Sequence, residues 1–318
     1  MSKATECAIA TCSQLPDLDP DDRLLSEALV ALGARVSAKV WSDPTVDWSS
    51  ADVCVVRSTW DYHKQFAAFD RWIDAVSTTT CLLNPAHVIR WNCHKFYLRD
   101  LERRGVPVVP TVWMERGERV DLGAVLDRVG WPEAVIKPAY GASADGILRV
   151  GPDDSERERG ESHLRKLLEA QDVLVQPYLS TISEHLERAL VFIDGIFSHA
   201  VAKLPFMHAN SDLALRSLHP PGASGEFPVE ATANEIEVAR HALSEAPNGH
   251  VYARVDLVRD ADSIRVLEVE LIEPTLYLFA HVPAARNLAR AILARVHDGR
   301  DGVNENTRLG GDVAPKKL

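Results

Sequence analysis

Two runs near the C-terminal end, VYARVDLV from Val251 and IRVLEVELI from Ile264, are dense in Val, Ile and Leu and are joined by the polar stretch Arg259 to Ser263. That pattern predicts an antiparallel hairpin. Strict alternation places Val251, Ala253, Val255 and Leu257 on one face of the first strand, with Tyr252, Arg254, Asp256 and Val258 on the other. In the second strand Leu267, Val269 and Leu271 share a face, opposite Ile264, Val266, Glu268, Glu270 and Ile272. Matching the apolar faces brings Asp256 beside Glu268 and Arg254 beside Glu270, so three carboxylates crowd one patch. Tyr252, Val258, Ile264 and Ile272 at its ends favour a cleft floor. The hairpin alone leaves open a solvated face with an Arg–Glu pair.

Residues 6 to 90 read differently, as alternating strands and helices. CAIATC predicts a strand, and DPDDRLLSEALVALGA a helix with acidic residues at its start and Gly33 at its end. Strands follow in RVSAKVW and ADVCVVR, then a helix in HKQFAAFDRWIDAV and a short strand in CLLN. The order predicts an open parallel sheet, where ligands gather at the carboxyl ends of strands. RSTWDY stands at such an end. Further on, WNCHKFYLRDLERRG predicts a helix with Lys95 near its start and Gly105 closing it. AVIKP is a strand ending at Lys137, before a loop of Gly141, Ala142, Ser143, Ala144 and Gly146.

These patterns suggest chemistry. Crowded carboxylates are relieved by protonation or by a cation between them, and an oxygen-only donor set suits Mg²⁺. Small residues after Lys137 let backbone N–H groups approach phosphate oxygens, although a glycine hairpin turn explains the same loop, and Lys95 fits an ordinary surface position. Arg57 could grip a carboxylate in a forked hydrogen bond, with Ser58, Thr59 and Asp61 meeting an ammonium or hydroxyl; the alternative makes Asp61 a helix cap and Trp60 packing.

The order Lys95, Lys137 with its loop, VLVQPYL, then Asp256, Glu268 and Glu270 resembles the ATP-grasp superfamily, in its glutathione-synthetase-like branch, from about Asn92 to Pro274. RSTWDY, FSHAVAK, ELIEP and Glu270 in place of the commoner Asn resemble one subgroup in particular, the ligases that close O-ureidoserine into the cycloserine ring. The resemblance implies an α/β chain, α+β in its C-terminal half: an N-terminal Rossmann-like domain (1–91), a central ATP-grasp subdomain (92–176) and a C-terminal one (177–300) enclosing ATP; the polar, Gly-containing residues after Arg300 predict a disordered tail (301–318). It implies that Lys95 and Lys137 contact phosphates, that Gln176, Pro177 and Tyr178 form the hinge beside adenine, and that Glu187, or Glu184 in its place, reads the ribose. Asp256, Glu268 and Glu270 would hold one or two Mg²⁺ ions, with Mn²⁺ as a substitute. Lys203, Arg254 and Arg216 would be catalytic cations, Arg216 lying in the long loop LPFMHANSDLALRSLHPPGASGEFP. In that loop Asn210, Asp212 and His219 are given no role.

Composition narrows the field. Lys and Arg total 35 against 46 Asp and Glu, a net charge of −11 with no basic run, which disfavours nucleic acid. No apolar stretch is long enough for a bilayer and no signal-peptide core follows Met1. Five cysteines without a CxxC pair read as reduced thiols in a cytoplasmic protein. The absence of GxGxxG and of a P-loop disfavours a dehydrogenase and a P-loop NTPase. The first expectation is an ATP-dependent ligase that activates a small amino-acid-like acid as an acyl phosphate for attack by an amine or hydroxylamine-type nitrogen, in a possible homo-oligomer. A phosphotransferase on a hydroxyl and a non-catalytic nucleotide-binding module are the alternatives.

Overall fold

The computed structural model describes residues 3–142, 145–204, 225–261 and 263–309, the last thirteen by backbone alone. Three sheets organise them. The first is parallel, in the order β2-β1-β3-β4, from β1 (Glu6–Thr11), β2 (Arg35–Val40), β3 (Val53–Val56) and β4 (Cys81–Leu83). Its crossovers include α1 (Pro20–Ala31) and α2 (Phe66–Thr79). The Asp19 side chain accepts from the Asp21 N–H and Pro20 opens the first helix, a start that needs no long-range help. Val53 to Val56 are buried throughout, as expected of a strand covered on both faces.

The second sheet has the order β5-β8-β6-β7 and is antiparallel, from β5 (Val112–Met114), β6 (Ala134–Pro138), β7 (Leu148–Val150) and β8 (Val173–Pro177). It packs on α5 (Leu122–Val129) and α6 (Asp154–Ala170) through Leu126, Ile136, Val150, Leu164 and Val175. The segment expected to be one helix around Lys95 is two, α3 (Ala86–Cys93) and α4 (Tyr97–Arg103). In the break, the Lys95 N–H donates to the Ala139 carbonyl, 2.9 Å away. The chain leaves helical geometry there because a carbonyl of the loop after β6 takes the bond that the helix would have made.

The third sheet, antiparallel in the order β11-β10-β9-β12-β13, holds β9 (Glu187–Ile193), β10 (Ile196–Lys203), β11 (Glu226–Val229), β12 (Tyr252–Asp260) and β13 (Ser263–Glu270). Short α7 (Ile182–His185) precedes β9, and α8 (Ala233–Ser244) opens with a capping box between Thr232 and Glu235. The helix α9 runs Ala284–Leu309, so its backbone passes the point where the sequence suggested a disordered tail from 301; residues 310–318 lie outside the described residues.

The predicted hairpin register holds, with Asp256 opposite Glu268 and Arg254 opposite Glu270. A bulge follows: Leu257 pairs with Val266, leaving Leu267 as the extra residue. It reverses the alternation expected for the start of β13. Ile264 and Val266 join Ala253, Val255, Leu257, Val269 and Leu271 in one core cluster, while Leu267 is only half-buried.

Candidate active site

The other face of that hairpin carries the charges, and the register explains how they meet. Lys203 on β10 lies opposite Glu187 on β9, and Asp256 on β12 lies opposite Ala189 on β9. Between them β9 presents only the methyl of Ala189, so Lys203 reaches across it. Its Nζ donates to Asp256 Oδ2 at 2.8 Å and also pairs with Glu187. Arg254 holds Asp256 with two parallel bonds, Nε to Oδ1 and Nη2 to Oδ2, each 2.9 Å, and its Nη2 also pairs with Glu270. Lys95, from the break between α3 and α4, pairs with Glu268.

Lys137, at the end of β6, faces the same cluster from the second sheet and makes no ion pair among the described residues. Burial pushes its ammonium below the ordinary lysine range, and Lys95 and Lys203 add to that, against the opposing charge of Glu268. Burial alone would raise Asp256, but Arg254 and Lys203 outweigh it and hold that carboxyl below its usual range. Glu270 goes the other way: burial, reinforced by Asp256 and Glu268, pushes it up to about 7 against the pull of Arg254. Glu273, just beyond β13, is pushed up to about 8 by burial and then by Glu270.

The chemistry of this donor set suits a hard divalent cation, since Asp256, Glu268 and Glu270 offer only carboxylate oxygens on one patch. As they stand these carboxylates are each engaged with an ammonium or guanidinium, and no three His, Cys, Asp or Glu among the described residues are grouped to hold a metal ion. Entry of a cation would have to loosen those pairs.

The other expected residues divide. Gln176 is buried in β8, and its Nε2 donates to Thr111 Oγ1 at 3.0 Å; Pro177 ends that strand. The Tyr178 ring lies under the Arg149 guanidinium, 3.6 Å from the carbon to the ring centre. Glu184, in α7, lines a separate recess with Arg188, Thr232, Glu235 and Arg259, away from the charged cluster that includes Glu187. Gly141 and Gly146 both fold over Pro138, and a Cβ at either would approach its ring to 3.1 or 3.2 Å. Gly146 also has φ of +75°, so glycine is required there on two counts. The loop leans on earlier segments: Tyr140 packs between Phe66 and His94, and Asp145 pairs with His63 at 3.1 Å. Ser143, Arg216, Asn210, Asp212 and His219 lie outside the described residues.

RSTWDY is placed otherwise than the sequence suggested. Arg57 is 2% exposed, and its fork grips no open cleft: Nε donates to Asp22 Oδ1 at 2.7 Å and Nη2 to the Pro274 carbonyl at 2.8 Å. Ser58 Oγ donates to the other Asp22 oxygen. Thr59 is fully buried, with no partner for its hydroxyl among the described residues. Asp61 does not cap the following helical turn with its side chain; its Oδ1 accepts from Trp41 Nε1 at 2.6 Å. Trp60 does pack, and its Nε1 donates to the Glu273 carbonyl at 2.9 Å.

Those contacts belong to a larger device that sequence reasoning missed. Every carbonyl from Leu271 to Tyr277 faces a side-chain donor. Asn84 Nδ2 meets Leu271 (2.7 Å), the Tyr252 hydroxyl, shared with the nearer Val56 carbonyl at 2.6 Å, meets Ile272 (3.0 Å), Trp60 meets Glu273, Arg57 Pro274 and Arg254 Nη1 Thr275 (3.0 Å). His199 Nε2 is shared between Leu276 and Tyr277 at 3.0 Å each. The strap forms no sheet pairing, so its buried carbonyls must be satisfied by side chains. ELIEP was visible as a motif; nothing local in it reveals partners as far as 217 residues away.

Comparison with known proteins extends the picture. Residues 7–84 match the model of the D-cycloserine synthetase DcsG N-terminal domain. Over 302 residues the chain is 34% identical to the cycloserine biosynthesis protein DcsG of Streptomyces lavendulae, covering 91% of this chain and 98% of that protein. The chain belongs to the DcsG family. The crystal structure of D-cycloserine synthetase DcsG superposes with a TM-score of 0.81 at 33% identity, over 92% of this chain and 99% of that one. More distant structures share the fold. D-alanine–D-alanine ligase from Bacillus anthracis, complexed with ATP, gives 0.66 at 15% identity over 95% and 99% of the two chains. The ATP-grasp ligase PsnB, complexed with minimal precursor, Mg and ADP, gives 0.60 at 15% identity over 92% and 98%. The protein is therefore an ATP-dependent ligase with the ATP-grasp fold. No helix among the described residues is long and apolar enough to cross a membrane.

Proposed function

We propose that the cleft between the second and third sheets binds Mg·ATP and activates the carboxylate of a small amino-acid-like substrate for attack by a nitrogen nucleophile, within the same molecule as in cycloserine formation. The observation that carries this reading is the convergence of Lys95, Lys137, Lys203 and Arg254 with Asp256, Glu268 and Glu270 on one patch, from chain segments far apart in sequence.

A carboxylate resists nucleophiles because its charge repels them and oxide is a poor leaving group. In the first step a substrate carboxylate oxygen bonds to the γ-phosphorus as its bond to the β-bridging oxygen breaks, and ADP leaves. In the second step the nitrogen bonds to the carbonyl carbon, phosphate leaves with the electron pair of the carbon–oxygen bond, and the nitrogen loses a proton. Lys137, without an ion pair among the described residues, is poised for a phosphate oxygen. Lys203 and Arg254 neutralise charge that develops on the transferring group, where fixed charges cost no reorganisation. Asp256, Glu268 and Glu270 would hold one or two Mg²⁺, with Mn²⁺ as a possible replacement; the ion supplies charge neutralisation across the phosphates. Gln176, Pro177 and Tyr178 would border adenine, Glu187 or Glu184 would read the ribose, and the Gly141–Gly146 loop would exclude water. We place the enzyme in the cytoplasm, where Mg·ATP is supplied.

The test is release of ADP and phosphate with Mg²⁺ over pools of amino acids and O-substituted serines, with mass spectrometry of each active pool. Loss of water relative to the precursors supports ligation or ring closure. A phosphorylated product would establish a phosphotransferase instead.

A further inference from the structure

The charge pairing in the site leaves one carboxylate over. Glu187 is matched by Lys203, Asp256 by Lys203 and Arg254, Glu268 by Lys95, and Glu270 by Arg254. Glu273 feels Lys95, Glu268 and Glu270, but among the described residues its carboxylate has no ion pair. Uncompensated, such a carboxyl keeps its proton, and a cation that enters beside it can take the proton's place.

Its position fits a partner that comes and goes. Along the strap from Leu271 to Leu278 every residue is buried except Glu273 and Thr275, which are half-buried. The backbone beneath them is held on both sides of Glu273, by Tyr252 at Ile272, Trp60 at Glu273 and Arg57 at Pro274. That bracing costs the protein three specialised buried side chains to fix one short stretch of irregular chain. A side chain that only filled space would not need it, whereas a recognition group gains from being held in place. Tyr62 and Cys93 both feel the charge of Glu273, so an aromatic ring and a thiol lie near it.

We propose that Glu273 is the specificity residue of the site and binds the α-ammonium of the amino-acid substrate, orienting its carboxylate toward Lys137. The assignment rests on the ligase reading above and extends it from a class of reaction to the group that distinguishes an amino acid from a plain acid. Arg57 and Trp60 then act on the substrate through the strap, as positioning residues.

The experiment compares O-ureidoserine with its desamino counterpart, 3-(ureidooxy)propanoate, in wild-type, Glu273→Gln and Glu273→Asp enzymes, reading ADP release and Mg·ATP affinity. Wild-type enzyme should prefer the ammonium-bearing compound. Glu273→Gln should lower kcat/KM for it by about 100-fold, the scale for removing one member of a buried charge pair. It should leave the desamino compound and Mg·ATP affinity unchanged, so that the preference collapses, while Glu273→Asp restores part of it. A Gln variant that keeps the preference, or that loses both compounds equally, would overturn the assignment. Wild-type enzyme that releases ADP with both compounds equally would overturn it while sparing the ligase reading. No ADP release from wild-type enzyme with either would remove that reading for this substrate class and the assignment with it.

Discussion

Replacing Arg57 by Met separates a clamp from a substrate grip. The side chain is 2% exposed and its partner Asp22 is 3% exposed, with Nε 2.7 Å from Oδ1. Arg57→Met leaves Asp22 buried with Ser58 as its remaining partner and leaves the Pro274 carbonyl without the donor that lies 2.8 Å away. Breaking a buried pair by removing one member costs about 3–5 kcal/mol, because the remaining charge stays desolvated. The carbonyl loss overlaps with this, so about 4 kcal/mol is a fair total. For a chain of this size that corresponds to a fall in Tm of roughly 8 °C, at about 2 °C per kcal/mol. Adding Asp22→Asn should recover part of the loss, since the uncompensated charge disappears. Urea unfolding and thermal melts of the wild type and the single and double variants measure this, with Mg·ATP affinity of each folded variant as a control. A variant as stable as wild type, with a raised substrate KM as its only change, would show that Arg57 touches the substrate and that the clamp argument is wrong.

Other outcomes follow from the same geometry. Lys137→Met removes a buried cation that has no ion pair among the described residues and is held below its usual pKa by burial and by two neighbouring lysines; stability should hold or rise while turnover falls about 100-fold or more, and a marked loss of Tm would contradict this. Asp256→Asn should cost both stability and ATP turnover, because Lys203 and Arg254 lose the carboxylate they share. Glu268→Gln should impair turnover with a smaller effect on folding, and ADP release at wild-type rates from both variants would refute the proposed metal role. His199, 7% exposed, has its pKa pulled down to about 4 by burial. The unfolded chain, with an ordinary histidine value near 6.5, then binds more protons between those limits, so this residue's contribution to stability is present above about pH 6.5 and is lost as pH falls toward 4. The difference is about 3 kcal/mol; His199→Asn should flatten the stability profile over that window, and an unchanged slope in urea titrations from pH 7 to 4 would refute it.

Much of this was legible in the chain because it follows from local rules. Period-two alternation in 251–258 and 264–272 fixes which residues can face one another, so Asp256 beside Glu268 and Arg254 beside Glu270 could be read from burial alone. The start of α1 at Asp19 and Pro20, and the strand-helix alternation behind the parallel sheet, were equally local. The order of lysines and carboxylates carried the family resemblance, which full-length similarity to DcsG then bore out.

What the sequence could not determine is where long-range satisfaction of polar groups overrides local pattern. The bulge at Leu267 reverses the alternation that preceded it, because which apolar side chains enter the core depends on what packs against the sheet. The helix breaks at Lys95 to bond Ala139, bringing that ammonium to Glu268. A fork at a strand end is chemically apt for a substrate carboxylate, and in the fold that of Arg57 meets Asp22 and the Pro274 carbonyl. Seven carbonyls in an unpaired irregular segment require donors, and only folding selects Asn84, Tyr252, Trp60, Arg57, Arg254 and His199 to supply them. Periodicity specifies neighbours within an element. The partners of a buried polar group are specified by the whole packed chain, since desolvation makes any conformation that leaves it unpaired too costly to persist.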